Sequence, residues 1–215
     1  MDKNIENLIK NQSEFEKEFY KRNPPGAFEK LKARSVGIAG AGGLGSNIAV
    51  ALVRSGVYNL YIADFDRIEA SNLNRQQYNY EQIGMYKVDA LRENLLKINP
   101  FININVFKVK LSPENISQIF GNADILLEAF DRADMKAMLA EEWFRITNKK
   151  YLVMGSGLAG TGSSDALKIE IYDKLVICGD QQTQACEANG LIAPRVAIVA
   201  NMQANVSIEL LLGGF

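Results

Sequence analysis

Histidine is missing altogether from this 215-residue chain, and cysteine occurs twice. Without an imidazole there is no Ser-His or Cys-His catalytic pair and no histidine-ligated metal, so any chemistry falls to carboxylates, Lys and Arg, thiols, hydroxyls and backbone groups. Cys178 and Cys186 could close a disulfide in an oxidising compartment, but with no secretion signal they read as reduced thiols. Long apolar runs are missing too. Nothing approaches the length of a membrane span, and the polar opening MDKNIENLIKNQSEFEKEF has no apolar signal core, so a cytoplasmic location and no membrane partner are expected. Nor is there an excess of either charge: 24 Lys and Arg face 25 Asp and Glu, which removes the bulk field that draws proteins onto nucleic acid or anionic lipid. An anion site, if present, must be local.

What is present is enough for one core. Hydrophobic residues make up 47% of the chain, and nothing in its length requires a second domain, so a single domain over 1–215 is expected, with an N-terminal helical arm to about residue 33. Ile5, Leu8, Ile9, Phe15 and Phe19 recur at helical spacing and predict an amphipathic helix from residue 4 to about 21, which NPPG (23–26) ends. AFEKLKAR predicts a short helix. Strands are expected at about 35–40 and 58–64, in FININVFKV, in ADILLEAF and in KYLVMGSG. Helices are expected between them, at about 43–55 and 85–98, in PENISQIF and at 132–148. Such alternation implies an α/β, Rossmann-like, doubly wound and mostly parallel sheet covered on both faces. ALKIEIYDKLVIC then predicts an antiparallel hairpin turning at Asp173-Lys174. A polar stretch follows, and APRVAIVANMQANVSIELLLGG reads as a buried or interface-sharing helix with Gly at its C-cap.

The stretch VGIAGAGGLGSNIAV runs from strand to helix through Gly40, Gly42, Gly43 and Gly45, a G-x-G-x-x-G pattern. Glycine there permits a tight turn, close approach of phosphate oxygens and close helix–strand packing, while the helix N-terminus offers free N–H groups to an anion. Asp64, at the end of the next strand, stands where ribose hydroxyls need an acceptor. A dinucleotide for redox chemistry and a nucleoside triphosphate are equally served by these features. The following segment, DFDRIEASNLNRQQYNYEQIGMYKVDALRENLLKINP, adds Asn72, Arg75 and Lys87. Cations around outer phosphates suit triphosphate cleavage better than hydride transfer.

The blocks GIAGAGGLGSN, DFDRIEASNLNRQQY, IGMYKVDALRENLLKINP, EAFDRADMK and GLIAPRVAIVANMQA, in that order from about residue 30 to 212, resemble the ThiF/MoeB-type adenylyltransferases, relatives of the ubiquitin-activating enzymes. The short ThiF-like proteins are the most similar in brevity. The resemblance implies ATP-dependent adenylation of the C-terminal carboxylate of a ubiquitin-like sulfur carrier ending in Gly-Gly, with release of pyrophosphate, in thiazole and thiamine biosynthesis. A C-terminal carboxylate is ionised near neutral pH and needs no general base, which suits a chain without histidine.

By the same resemblance Asp64 holds the ribose, Asn72 and Arg75 contact phosphates, Lys87 neutralises charge toward pyrophosphate, and Asp131 binds Mg²⁺. Read from its position alone, Asp131 is also a helix N-cap. Where the family commonly has asparagine after that aspartate and arginine further on, Arg132 and Lys136 stand here. Family dimers insert an arginine from one subunit's N-terminal segment into the other's site; Arg22 is the candidate, and a homodimer is implied. Cys186 aligns with a crossover-loop cysteine that some members link covalently to their carrier, whereas Cys178 reads as buried filler. The two Cys-x-x-Cys pairs that hold structural zinc in many relatives are missing, so no structural zinc is expected. Other readings keep the nucleotide site and change the acceptor to a molybdopterin-type carrier, a peptide or a tRNA-attached amino acid, or drop the chemistry and leave a nucleotide-binding dimer. The near-zero net charge argues against nucleic acid.

Overall fold

The computed structural model describes residues 11–186 and 188–214. Seven strands form one sheet: β1 (Ser35–Ala39), β2 (Asn59–Ala63), β3 (Asn103–Phe107), β4 (Ile125–Glu128), β5 (Tyr151–Gly155), β6 (Lys168–Tyr172) and β7 (Leu175–Gly179). Their order is β3-β2-β1-β4-β5-β7-β6. Every neighbouring pair is parallel except β6 and β7, an antiparallel hairpin in which Tyr172 faces Leu175 across the expected Asp173-Lys174 turn.

Period-two alternation sends side chains to both faces, and both are covered. Val36 and Ile38 of β1 face α3 (Gly43–Ser55), α4 (Lys87–Ile98) and α7 (Ala193–Leu212), joining Leu44, Ile48, Leu91, Val196 and Val199 in one core. On the other face Ala39 and Leu126 meet α5 (Pro113–Phe120) and α6 (Ala133–Ile146) through Phe120, Leu139 and Trp143. Gly37 belongs to that second face, where a Cβ would lie 2.8 Å from side-chain atoms of both Leu126 and Phe120.

Helix α7 is apolar on most sides because it lies against the sheet, burying Val196, Val199, Ala200, Ala204 and Val206. It ends at Gly213, which takes φ +96° as a left-handed C-cap. No helix of the described residues is long and apolar enough to cross a membrane.

The N-terminal arm contributes α1 (Gln12–Phe19) and α2 (Ala27–Lys32). Of the helix expected from residue 4 to about 21, residues 4–10 lie outside the described residues; among the described ones Asn11 caps α1, its side chain accepting from the Ser13 and Glu14 N–H groups, and the helix runs from Gln12 to Phe19. Ile5, Leu8 and Ile9 lie outside the described residues. Phe15 stacks on Phe19 with ring centres 5.1 Å apart, and both phenylalanines pack among aromatic side chains of the arm and Phe101. Polar ties moor the arm at the C-terminal end of α3: the Tyr20 hydroxyl donates to Val53 O at 2.8 Å, and Asn23 Nδ2 to Ser55 O at 2.8 Å.

Candidate active site

Strand order reverses between β1 and β4, since the chain leaves β1 toward β2 and β3 on one side and returns to β4 on the other. In open α/β sheets ligands lie outside the carboxyl ends of the strands at such a point. The glycine turn follows β1, and the segment carrying Asp131 follows β4.

Gly40 takes φ +106°, and a Cβ there would sit 2.8 Å from Ala129 O. Gly45 packs directly on the carbonyl of Gly40, a contact that closes helix α3 onto the strand and leaves no room for a side chain. The turn between them is held on both sides at one residue. Ala41 N–H donates to Asp64 Oδ2 at 2.7 Å, and Ala41 O accepts from the Tyr78 hydroxyl at 2.6 Å. Asp64 Oδ1 also accepts from the Asp66 N–H at 2.8 Å. Burial raises the Asp64 carboxyl above its ordinary range, against the N–H donors of Ala41 and Asp66 and the charge of Lys87. Each oxygen keeps a further lone pair for a hydroxyl donor.

The loop after β2 lies over the start of α3 and is stapled to it. Asn47 Nδ2 donates to Gly43 O at 2.7 Å and to Arg75 O at 3.0 Å, while the Gln77 N–H donates to Ser46 Oγ at 3.1 Å. Arg75 is thereby brought onto the glycine turn: its Cγ and Nε lie 3.7 Å from where a Gly43 Cβ would be. Its Nη1 donates to Ser71 O and Asn74 Oδ1, and no carboxylate pairs with it among the described residues. Asn72 shares the loop, and its Oδ1 accepts from the Glu69 N–H at 3.1 Å. Lys87 opens α4 almost wholly buried, with Nζ 2.8 Å from Asp66 Oδ2.

Asp131 is exposed on the segment after β4, two residues beyond the Ala129 that packs on Gly40. The N-cap of α6 is Arg132, with no side-chain cap bond, so the expected capping role for Asp131 is corrected. Among the described residues no cluster of three metal-ligating side chains exists. Asp131 nevertheless suits Mg²⁺, a hard ion commonly held by one or two carboxylates plus substrate phosphates, because it makes no ion pair or side-chain hydrogen bond among these residues. Its neighbour Glu128 does not. Fully buried, Glu128 is gripped by Lys136 Nζ at 2.7 and 2.8 Å, and Lys136 also donates to Gly155 O at 2.8 Å. Lys136 is therefore a half-buried counterion to Glu128 beneath the site.

Arg22 is exposed and lies beside Asn23 at the far end of α3 from the glycines. With 13 residues in α3, that is about 20 Å away. Within one subunit it does not join the others.

A cavity of about 930 Å³ opens across the N-terminus of α7, between the segment after β5 and the segment after β7; the next residue of that helix, Val196, packs against Gly43 of the glycine turn. Arg195 and Asp180 lie in its wall with Gln181 and Asn189. Cys186 is exposed on the second segment, its carbonyl accepting from the Asn189 and Gly190 N–H groups. Cys178 is buried in β7 as expected, and burial pushes its thiol up to about 12.

Sequence reasoning missed Ser46, Asn47 and Tyr78 as builders of the site, and Arg195 and Asp180 altogether. The first three were legible as polar residues placed on or beside an otherwise apolar helix face. Asp180 stands in a segment without periodicity, and Arg195 in the first turn of a helix read as apolar.

Comparison with known proteins is consistent with this geometry. A model of the ThiF family matches residues 16–214. A molybdopterin-synthase adenylyltransferase of Haemophilus influenzae is 33% identical over 189 residues, covering 86% of this chain and 77% of that protein. An adenylyltransferase and sulfurtransferase of Candida glabrata is 30% identical over 191 residues, 86% of this chain but only 44% of the relative, so the chain spans less than half of that protein. Among solved structures, the E. coli tRNA N6-threonylcarbamoyladenosine dehydratase in complex with ATP is similar with a TM-score of 0.83 at 18% identity, covering 94% of this chain and 96% of that one. At that identity the likeness establishes the fold alone.

Proposed function

The chain belongs to the ThiF family, and from that premise we propose that it is an adenylyltransferase: it uses ATP to activate the C-terminal carboxylate of a small ubiquitin-fold sulfur carrier ending in Gly-Gly. The observation that carries this reading is the meeting at one switch point of the glycine turn, Asp64 and the guanidinium of Arg75, which pairs with no carboxylate among the described residues, with Lys87 one carboxylate behind.

The carrier carboxylate attacks the α-phosphate, the bond to the β-phosphate breaks, and pyrophosphate leaves with the electron pair while an acyl-adenylate remains. The nucleophile is already an anion, so the obstacle is repulsion from the triphosphate, and fixed cations and positioning lower it. In this scheme the N–H groups at the start of α3 take phosphate oxygens. The free lone pairs of Asp64 accept from the ribose hydroxyls, and Asn72 and Arg75 hold the phosphates. Lys87 exchanges Asp66 for the outer phosphates. Asp131 is the residue to hold Mg²⁺, which supplies further charge neutralisation on the phosphates. Arg22 reaches the site of a second copy in a homodimer. Cys186 is the thiol available for a covalent link to the carrier.

Carrier-dependent exchange of labelled pyrophosphate into ATP tests the proposal. A panel holds a thiamine-type carrier, expected from the resemblance to the short ThiF-like proteins, and a molybdopterin-type carrier, suggested by the Haemophilus relative. Exchange with one of them, suppressed on the order of a hundredfold by Arg75→Ala or Lys87→Ala with the fold intact, is the expected result. No exchange with any Gly-Gly-ended carrier defeats the proposal. The net charge of −1 argues against a tRNA-attached acceptor.

A further inference from the structure

Two segments flank the cavity at the N-terminus of α7, the helix whose Val196 packs on Gly43, and one buried side chain ties them together. Arg195, 4% exposed in the first turn of α7, donates from Nη2 to Asp180 Oδ2 at 2.5 Å. Its Nη1 donates to Gly162 O and, at 3.3 Å, to Ser163 O. The guanidinium thus bridges the segment after β5 and the segment after β7.

Asp180 completes the tie from its own side. It accepts from the Gln182 N–H at 2.9 Å, from the Thr183 N–H at 2.8 Å and from the Thr183 hydroxyl at 2.9 Å. It also packs against Gly157, where any side chain would collide with its carboxylate. Burial opposes the charge on Asp180, yet these donors together with Arg195 outweigh it and hold the carboxyl below its usual range.

Both segments carry backbone that ordinary residues seldom adopt. Ser163 has φ +47° in one and Gln181 φ +57° in the other. Such conformations cost about 1–3 kcal/mol each and persist where the surroundings over-determine them, characteristically at ligand-binding sites. Here the surroundings are Arg195 and Asp180. A pair placed only for stability would gain little, because desolvation offsets much of the attraction between buried charges.

We propose that Arg195 is a positioning residue for the acceptor: through Asp180 and the Gly162 and Ser163 carbonyls it sets the spacing of the cavity walls that receive the extended, carboxylate-ended tail of the substrate. This rests on the adenylyltransferase reading. It separates two functions of one surface, with the glycine turn and the loop after β2 serving the nucleotide and the Arg195 tie serving the tail.

Arg195→Lys is the direct test, because one ammonium cannot engage Asp180 and two carbonyls in the fork geometry of a guanidinium. The expected result is a carrier KM raised about tenfold, because walls no longer held at the spacing of the tail bind it less tightly in ground state and transition state alike. KM for ATP and kcat at saturating carrier stay within about twofold, and amide hydrogen exchange quickens in 156–167 and 180–192 but not in 40–46. Asp180→Asn, which keeps the shape of the Thr183 turn, gives the same split and stands in if the lysine variant does not fold.

An unchanged carrier KM overturns the proposal, and so does a parallel rise of both KM values with faster exchange at the glycine turn. If the unaltered chain supports no carrier-dependent pyrophosphate exchange, the functional reading has failed. The tie is then judged by hydrogen exchange alone: acceleration confined to the two segments sustains it, and none refutes it.

Discussion

The ammonium of Lys87 and the carboxylate of Asp66 form an unequal pair: 2.8 Å apart, the cation side chain is 9% exposed and its partner 48%. The backbone reinforces the pair, since the Lys87 N–H donates to Asp66 O at 2.9 Å. A buried cation thus leans on an anion that water already solvates. That partner is easily replaced by a more highly charged one such as a phosphate, because the exposed carboxylate gives up little when it returns to solvent.

Asp66→Asn leaves the amine without its counterion in the free protein. We expect a lower melting temperature without nucleotide and a dissociation constant for ATP smaller by about threefold to tenfold, corresponding to roughly 1 kcal/mol gained when phosphate takes the vacant place. Calorimetric titration and thermal scans with and without ATP measure both. Weaker binding would mean that Asp66 aims Lys87 at the nucleotide.

Tyr78→Phe removes the donor to Ala41 O and leaves a buried carbonyl unpaired in the turn. Urea denaturation should register a loss of about 1–3 kcal/mol, and ATP affinity should fall with it because the same peptide is also gripped by Asp64. Loss of stability with unaltered affinity would separate the tyrosine from the nucleotide site.

Lys136→Met isolates Glu128 in the core. At neutral pH this should cost about 3–5 kcal/mol, the penalty of a buried charge that has lost its partner. Burial already raises the Glu128 carboxyl above 4.5, against the attraction of Lys136, and losing the lysine raises it further. The folded variant therefore binds a proton more readily than its unfolded chain. Its deficit should shrink as pH falls from 7 through the raised value toward 4.5, and return as pH rises. Urea midpoints across that range check the sign. A deficit independent of pH would assign the loss to packing.

Arg22→Ala and Lys87→Ala chains test the proposed homodimer together. Each alone should fail in pyrophosphate exchange, and an equal mixture after subunit reassortment should recover about a quarter of the sites, since a two-fold pair then holds one complete site in each mixed dimer. No recovery would show that Arg22 does not act across subunits.

The hairpin, the parallel strands and the glycine turn were legible because each is a local pattern: alternation, helical spacing, or glycines at set intervals between strand and helix. The cap at Asn11 was not legible, because helical spacing runs through that residue and only its capping bonds reveal the break. In the site, Asp64 and Arg75 were legible through a motif, and the structure brings them together. Asn72 and Lys87 were legible too, but their present partners, Glu69 and Asp66, were not. Arg195 and Asp180 stand 15 positions apart at the two ends of the irregular connection from β7 to α7. Lys136 stands one helical turn beyond the Arg132 cap and Glu128 in the neighbouring strand, so their pairing depends on how α6 leaves β4. Such pairs leave no trace in composition or period.

The contrast between a sealed Cys178 and an open Cys186 has a practical sequel. A maleimide fluorophore applied to the native protein reacts at a single address without any cysteine having to be removed first. The dye then rides on the segment after β7, one wall of the cavity proposed as the entrance for the tail. Watching its anisotropy as carrier is added turns a chance distribution of two sulfur atoms into a gauge of that entrance.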